Sequence, residues 1–390
     1  MAPAPQPADR TMTQRVRDIA QRARTEMGRG AARARNGVRL AVGQVPQPQV
    51  AVTPHEVVWR SGRARLLHYR NDNVRYATPL LLIYSLANRS YIYDLAPGNS
   101  FVERLRDEGV DVYLLDWGIP DERDATNTLH TYAVEGIGDA IRAVQHESGH
   151  HEVNLYGYCF GGLLALLGCA ARPDWPVRSL MTAAIPFDMS KLFAGPTRMI
   201  REGRITVDDV IDETGNMPGS VVAQSFTTLS PLTTVTKYAN LIEGMWSEEF
   251  LQAHQLMTGW GEDHIPIAGA TMREVADKLI RSDTFATEGT IELGGRQVRL
   301  SDITIPYRSF VADDDYIVPP AASAAAPTLV GSADSAEVRI PGGHIGLMVG
   351  RQAHKRSVPR LIEFIKSSSE VVDAESGPER SDLRLVAAAV

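Results

Sequence analysis

Three short segments of this 390-residue chain carry side chains that could do covalent chemistry together. In the first, Gly157-Tyr158-Cys159-Phe160-Gly161, the apolar run EVNLYGY (152–158) leads through a glycine-flanked turn into LLALLGCAA (163–171). The order is strand, tight turn, helix, with the thiol at the turn, a nucleophile elbow in which Cys stands where Ser is usual. A thiol at a helix N-terminus meets the positive end of the helix dipole, which favours the nucleophilic thiolate. Taken alone, the turn also fits a buried, inert cysteine. The second segment, Asp313-Asp314-Asp315, closes the run ITIPYRSFVA (303–312), and the third, Pro341-Gly342-Gly343-His344-Ile345-Gly346, follows AEVRI (336–340). A His on a glycine-flanked loop can act as general base toward the thiol, and a carboxylate behind it can hold the ring in the required tautomer. Alone, the Asp run also reads as a solvated turn or a metal site, and the His as structural. All three at strand ends, in the order nucleophile, acid, His, point to catalysis. The acid is assigned to Asp315, because Ile317, Val318 and Pro319 place the following helix, with Asp313 as second choice. Backbone N–H groups for an oxyanion are expected from Phe160 and from the loop after PLLLIYS (79–85), at Leu86 or Ala87.

The elements that must position these groups are readable as well. PLLLIYS, VDVYLLD (110–116), EVNLYGY, VRSLMTAAI (177–185), ITIPYRSFVA and AEVRI are short apolar runs typical of buried parallel strands. Helical patterns lie between the earlier ones, at about 99–108, 131–147 and 160–171. The alternation predicts an α/β-hydrolase fold: a mostly parallel central sheet with helices on both faces and an inserted, mainly helical cap. The expected segments are a basic arm and linker (1–53, the linker from 36), a first core part (54–185), the cap (186–302), a second core part (303–366) and a polar, disordered tail (367–390). HEVVWRS and RARLLHY, either side of Gly62, predict a hairpin at the start of the core. Cys169, His150, His151 and His264 are read as structural.

Composition sets the class. Apolar residues at 44% and charged residues at 22% are ordinary for a globular chain. No apolar stretch is long enough to span a bilayer as a helix, and MAPAPQPADR lacks the apolar region of a signal peptide, so a cytoplasmic location is expected. The two cysteines, Cys159 and Cys169, would lie about 15 Å apart along one helix, too far for a disulfide. The net charge of −7 conceals an asymmetry: residues 10–39 hold nine Arg against Asp18 and Glu26, which makes that segment +7 and the remainder −14. Met12, Val16, Ile19, Ala20, Ala23 and Met27 recur there at helical spacing, which predicts an amphipathic helix docked on the body or on a partner. No aromatic platform accompanies the charge, so no nucleic-acid partner is expected.

The elbow resembles that of dienelactone hydrolases as much as that of polyhydroxyalkanoate synthases. The rest of the chain discriminates. TPHEVVWRSGRARLLHYR (53–70), PLLLIYSLANRSYIYDL (79–95), DVYLLDWGIPD (111–121), GWGEDHIPIAGATMRE (259–274), DDYIVPP (314–320) and GGHIG (342–346) resemble the synthases, particularly the short-chain kind that works with a second subunit. The resemblance covers about residues 15–365. It implies polymerisation of (R)-3-hydroxyacyl-CoA thioesters into a polyester with release of CoA, with no cofactor beyond the CoA thioester substrate. Cys159 would carry the growing chain, His344 would activate the thiol, and Asp315 would support His344 or help activate the incoming hydroxyl. It also implies a second synthase subunit or a homodimer, and work at the polyester granule surface. The sequence departs from the family at Tyr316, where His is usual in the Asp-His-Ile-Val-Pro-Pro run, at Phe160 after the nucleophile, and in the C-terminal VPRLIEFIK, which lacks the usual aromatic residues. The alternatives are a cysteine-dependent hydrolase and a non-catalytic granule-associated subunit.

Overall fold

The computed structural model describes residues 12–46, 48–192, 194–229 and 241–371. Most of the expected tail, 372–390, lies outside the described residues. The chain forms two compact units, one of residues 1–48 and 230–259, the other of 49–229 and 260–390.

The larger unit is built on an eight-stranded sheet: β1 (Glu56–Ser61), β2 (Ala64–Tyr69), β3 (Leu80–Ile83), β4 (Val112–Asp116), β5 (Val153–Tyr158), β6 (Val177–Ala183), β7 (Tyr307–Ala312) and β8 (Ser335–Ile340). The spatial order is β1-β2-β4-β3-β5-β6-β7-β8, with β2 antiparallel to both its neighbours and every later pairing parallel. This is the mostly parallel sheet of the α/β-hydrolase fold. β3 to β6 are buried on both faces, which is why their sequences read as continuous apolar runs rather than alternating ones. On one face α3 (Ile137–Ser148) and α4 (Phe160–Ala171) pack on Leu81, Ile83, Tyr113, Leu115 and Leu155. On the other, Phe101 of α2 (Phe101–Asp107) meets Tyr156, which in turn meets Phe310.

Two local expectations change. β7 starts at Tyr307 rather than near 303, because Pro306 supplies no N–H to a ladder. Within 186–302, where a mainly helical insert is expected, Thr290–Leu293 and Arg296–Arg299 pair as an antiparallel hairpin turned at Gly294-Gly295. Both glycines have positive φ, +57° and +79°, which suits the two-residue turns that match strand twist.

In the smaller unit α1 (Met12–Ala41) runs five residues beyond the expected start of the linker at 36. Of the expected apolar stripe, Ala23 and Met27 are exposed, and the side chains of Met12, Val16, Ile19 and Ala20 lie outside those described. The contacts with residues 241–259, which include most of α5 (Glu248–Glu262), are polar. Asn36, fully buried, donates through Nδ2 to the Met245 carbonyl at 2.8 Å. Arg39 forks onto both Glu248 oxygens at 2.7 and 3.0 Å, Arg33 donates to the Glu243 carbonyl, and Arg29 lies over the Trp246 ring at 4.6 Å. Among the described residues no helix is long and apolar enough to cross a membrane.

Candidate active site

The elbow is a backbone device. β5 ends at Tyr158 and α4 begins at Phe160, so the whole reversal falls on Cys159, with φ 53° and ψ −127°. A non-glycine residue there carries strain of about 1–3 kcal/mol, held by its surroundings. Cys159 N–H donates to the Ala183 carbonyl at 2.8 Å, and its own carbonyl accepts from Gly162 at 3.0 Å and Leu163 at 3.3 Å. Glycine is required beside it: a Cβ on Gly161 would stand 2.4 Å from the Ile83 carbonyl oxygen and 2.5 Å from that of Tyr84, and one on Gly157 would stand 2.4 Å from Gly162 Cα. The same closeness sets the loop after β3 against the turn. Cys159 is partly exposed, whereas Cys169, inside α4, is buried in apolar surroundings that push its thiol up to about 12.

The structure brings His344 and Asp315 together. His344 follows β8 on its glycine loop, and its Nδ1 lies 2.7 Å from Asp315 Oδ2, with both side chains buried. The remaining oxygen, Oδ1, accepts from the backbone N–H of Ile317 at 2.9 Å and Val318 at 2.8 Å. Asp313 and Asp314 are exposed, and Asp313 accepts from Arg339 Nε at 2.7 Å. A carboxylate on Nδ1 fixes that nitrogen as the donor and leaves Nε2 for chemistry. Burial alone would push the His344 imidazole down. The Asp315 carboxylate and the Cys159 sulfur, by charge and by hydrogen bonding, outweigh burial and raise it to about 10. The surroundings of His344 therefore favour its protonated, imidazolium form.

Of the expected oxyanion donors, Ala87 N–H is engaged by Ser85 Oγ at 3.3 Å. Among the described residues the N–H groups of Leu86 and Phe160 have no acceptor. The Ala87 carbonyl accepts from Ile265 at 3.1 Å, Asn88 bridges to His264, and the buried Trp260 donates from Nε1 to the Arg89 carbonyl at 2.9 Å. The insert thus ties down the donor loop at its backbone, through two backbone contacts that have no sequence signature and through the Trp260 side chain. Trp117 is a support of the same kind: buried edge-on against Tyr132, it donates to the Tyr84 carbonyl at 2.9 Å.

Sequence reasoning missed one contributor. Tyr158, next to Cys159 and fully buried, donates its hydroxyl to the His344 carbonyl at 3.2 Å, with its ring 5.0 Å from the imidazole. Its only signal was its place in the elbow. Among the described residues no group of three or more His, Cys, Asp or Glu is placed to hold a metal ion.

Residues 78–208 match the α/β hydrolase fold family, and residues 10–105 match the family described as poly-β-hydroxybutyrate polymerase (PhaC) N-terminus. The chain is 33% identical over 347 residues to the poly(3-hydroxyalkanoate) polymerase subunit PhaC of Haloferax mediterranei, covering 87% of this chain and 70% of that one. It is also 33% identical over 322 residues to the subunit of that name from Allochromatium vinosum, covering 80% and 88%. Among solved structures it is similar to a thermophilic esterase from Thermogutta terrifontis, at 16% identity and a TM-score of 0.49, over 81% of this chain and 100% of that one.

Proposed function

The chain belongs to the poly(3-hydroxyalkanoate) polymerase subunit PhaC family, and from that premise we propose that it polymerises (R)-3-hydroxyacyl groups from CoA thioesters through a thioester on Cys159. The observation that carries the mechanism is the 2.7 Å contact between His344 Nδ1 and Asp315 on a loop whose imidazole also interacts with Cys159. His344 takes the thiol proton, and the sulfur attacks the thioester carbonyl. The tetrahedral oxyanion is met by the N–H groups of Phe160 and Leu86. Collapse breaks the bond to the CoA sulfur, which leaves as CoA with the proton held by His344. The acyl group is now on Cys159, still as a thioester. In the second half, His344 takes the proton of a 3-hydroxyl group, whose oxygen attacks the carbonyl. An ester forms, and sulfur departs from the carbonyl to be reprotonated. Asp315 has both oxygens committed, to His344 and to two backbone N–H groups, so its part is to orient and charge-stabilise the imidazole rather than to meet the hydroxyl.

A thiol suits this chemistry because exchange of one thioester for another keeps the acyl group activated for attack by a hydroxyl. The basic helix α1, with Arg22 and Arg24 exposed, is assigned to attachment to a second subunit or to the granule. The deciding experiment supplies (R)-3-hydroxybutyryl-CoA to the full chain, follows CoA release and sizes the product, with mass spectrometry of the trapped enzyme. Polymer with an acyl adduct on Cys159 is expected. Free 3-hydroxybutyrate as the sole product would make the protein a hydrolase, and an adduct on Cys169 would overturn the assignment of the nucleophile.

A further inference from the structure

Beyond the strand that leads to the His344 loop lies a concavity of about 470 Å3 whose lining includes Arg339, Arg351, Gln352, Lys355, Arg356 and Arg360. A cavity of that size falls in the range of small-molecule sites, which are generally lined by apolar groups. Here five of the eight lining residues are cations, the others being Ile340, Gln352 and Pro359. Arg339 is partly neutralised by Asp313 at 2.7 Å and Glu337 at 3.4 Å. Arg351, Lys355, Arg356 and Arg360 have no carboxylate partner among the described residues.

The arrangement is costly for the fold. The four cations belong to a continuous helical stretch, Gly350–Gln352, the π-helical turn Ala353–Ser357 and α6 (Val358–Ser368). Arg351 and Lys355, and likewise Arg356 and Arg360, are four residues apart, so like charges stack along one side, which destabilises a helix unless something neutralises them. Some cations elsewhere are paired, as Arg65 is with Asp116, Arg70 with Glu56 and Glu147, and Lys278 with Glu274 and Glu292; what sets this group apart is that its cations share one cavity. Stacked unpaired guanidinium groups around a concave space match the forked recognition of phosphate oxygens. A single phosphate would leave most of this charge unmet, so the ligand has at least two phosphate groups.

The geometry points to a polyphosphate-binding site formed by Arg351, Lys355, Arg356 and Arg360, for the diphosphate of a nucleotide-bearing ligand. It adjoins the catalytic loop through the chain itself. Ile340 lines the cavity four residues before His344, and a Cβ on Gly342 would touch Gln352 Cγ at 3.7 Å. Two sources carry this chemistry, the nucleotide end of an acyl-CoA and a separate phosphorylated effector. The site itself depends on neither Cys159 nor the polymerisation reading.

The test titrates the full-length protein with inorganic pyrophosphate by calorimetry, beside the double variant Arg351→Glu/Arg356→Glu and the milder Arg351→Gln/Arg356→Gln. Wild type should bind, with affinity falling steeply as salt rises from 0.05 to 0.5 M, since exposed charges are screened over about 10 Å at 0.1 M. The Glu pair should weaken binding by about tenfold or more and the Gln pair by less, as loss of charge-assisted hydrogen bonds requires. Alkylation of Cys159 by iodoacetamide at the wild-type rate shows that a variant is folded, and the Gln pair carries the test if the Glu pair is not. If the source is acyl-CoA, the variants raise KM with kcat unchanged and pyrophosphate competes with substrate. If it is a separate effector, pyrophosphate binding is lost while KM stays at its wild-type value. No pyrophosphate binding by wild type, or equal binding by wild type and both variants, overturns the site, whatever the polymerisation assay shows.

Discussion

The two compact units are held by opposite physics. In the larger, strands buried on both faces and the helices on them exclude water, and the buried carboxylate of Asp315 is met by His344 and two backbone N–H groups. In the smaller, the buried apolar residues among those described are Val45, Leu241, Leu251 and Leu256, while Met27, Val38, Val42, Ile242 and Trp246 are exposed. Its α1 is fastened by Asn36, Arg33, Arg39 and Arg29 to carbonyls, a carboxylate and one aromatic face. Apolar burial is indifferent to ionic strength, whereas exposed ion pairs weaken with it. The proposed catalytic groups, Cys159, His344 and Asp315, lie in the unit built on apolar burial, and α1, assigned to attachment, is fastened by contacts that salt screens.

The largest effect expected within the larger unit is on turnover. Cys159→Ala should lower it by roughly 10⁴-fold or more, because covalent loading disappears, while Cys169→Ala should leave it close to wild type. Steady-state CoA release measures both. Comparable losses from the two would mean that burial, not the elbow, decides which thiol matters.

Next comes the acid. Asp315→Asn should reduce kcat by roughly 10²–10⁴-fold, as loss of the carboxylate behind a catalytic His does, whereas Asp313→Asn should do little beyond freeing Arg339. The same variant has a pH signature. His344 is raised above its unfolded value, so its protonation adds stability that is fully present below about 6.5 and is lost as pH rises through about 10. Denaturant melts between pH 6 and 11 should show this decline in wild type and a flatter profile in Asp315→Asn. A decline of equal size in both would place the linkage elsewhere.

Gly161→Ala should cost about 1–3 kcal/mol of overpacking, since the new Cβ meets two carbonyl oxygens at 2.4 and 2.5 Å. A thermal melt reads this directly, and an unchanged midpoint would show that β3 and the elbow are not in such close register.

The smallest effects belong to the smaller unit. Asn36→Ala leaves the half-buried Met245 carbonyl without its donor and should cost about 1 kcal/mol of local stability, seen as faster hydrogen exchange in 30–41 and 241–250. Removal of residues 1–35 should leave Cys159 alkylation intact and weaken recovery of a partner subunit or granule at 0.05 M salt more than at 0.5 M. Equal recovery at both would mean that the arginines are only a solvated face.

Much of the fold was legible because its signals are local. Strands buried on both faces are continuous apolar runs, and a strand ending in Gly-x-Cys-x-Gly before a helix has one economical backbone path, so the sheet and the place of Cys159 followed from short windows. The Gly294-Gly295 hairpin was equally local and was missed only because it lay in a segment read as helical. The extent of α1 was not legible, since the Gly-, Pro-, Gln- and Val-rich composition of 36–53 read as a linker, whereas Asn36 on the Met245 carbonyl and Arg39 on Glu248 fasten the turn that continues to Ala41.

What sequence alone determined is therefore the order of chemical groups along the chain and the strand ends that hold them, for these depend on residue type and period. Tertiary structure decided how Asp315, already preferred from the sequence, meets the imidazole, because that rests on its side chain turned back onto the N–H groups of Ile317 and Val318. It decided which amides stay open beside the thiol, because Ser85 Oγ takes one of them. And it gathered Arg339 with cations from a helix more than ten residues later around one cavity. Hydrogen bonds to backbone groups and the convergence of distant charges leave no pattern in a linear sequence; they exist only once the chain has closed on itself.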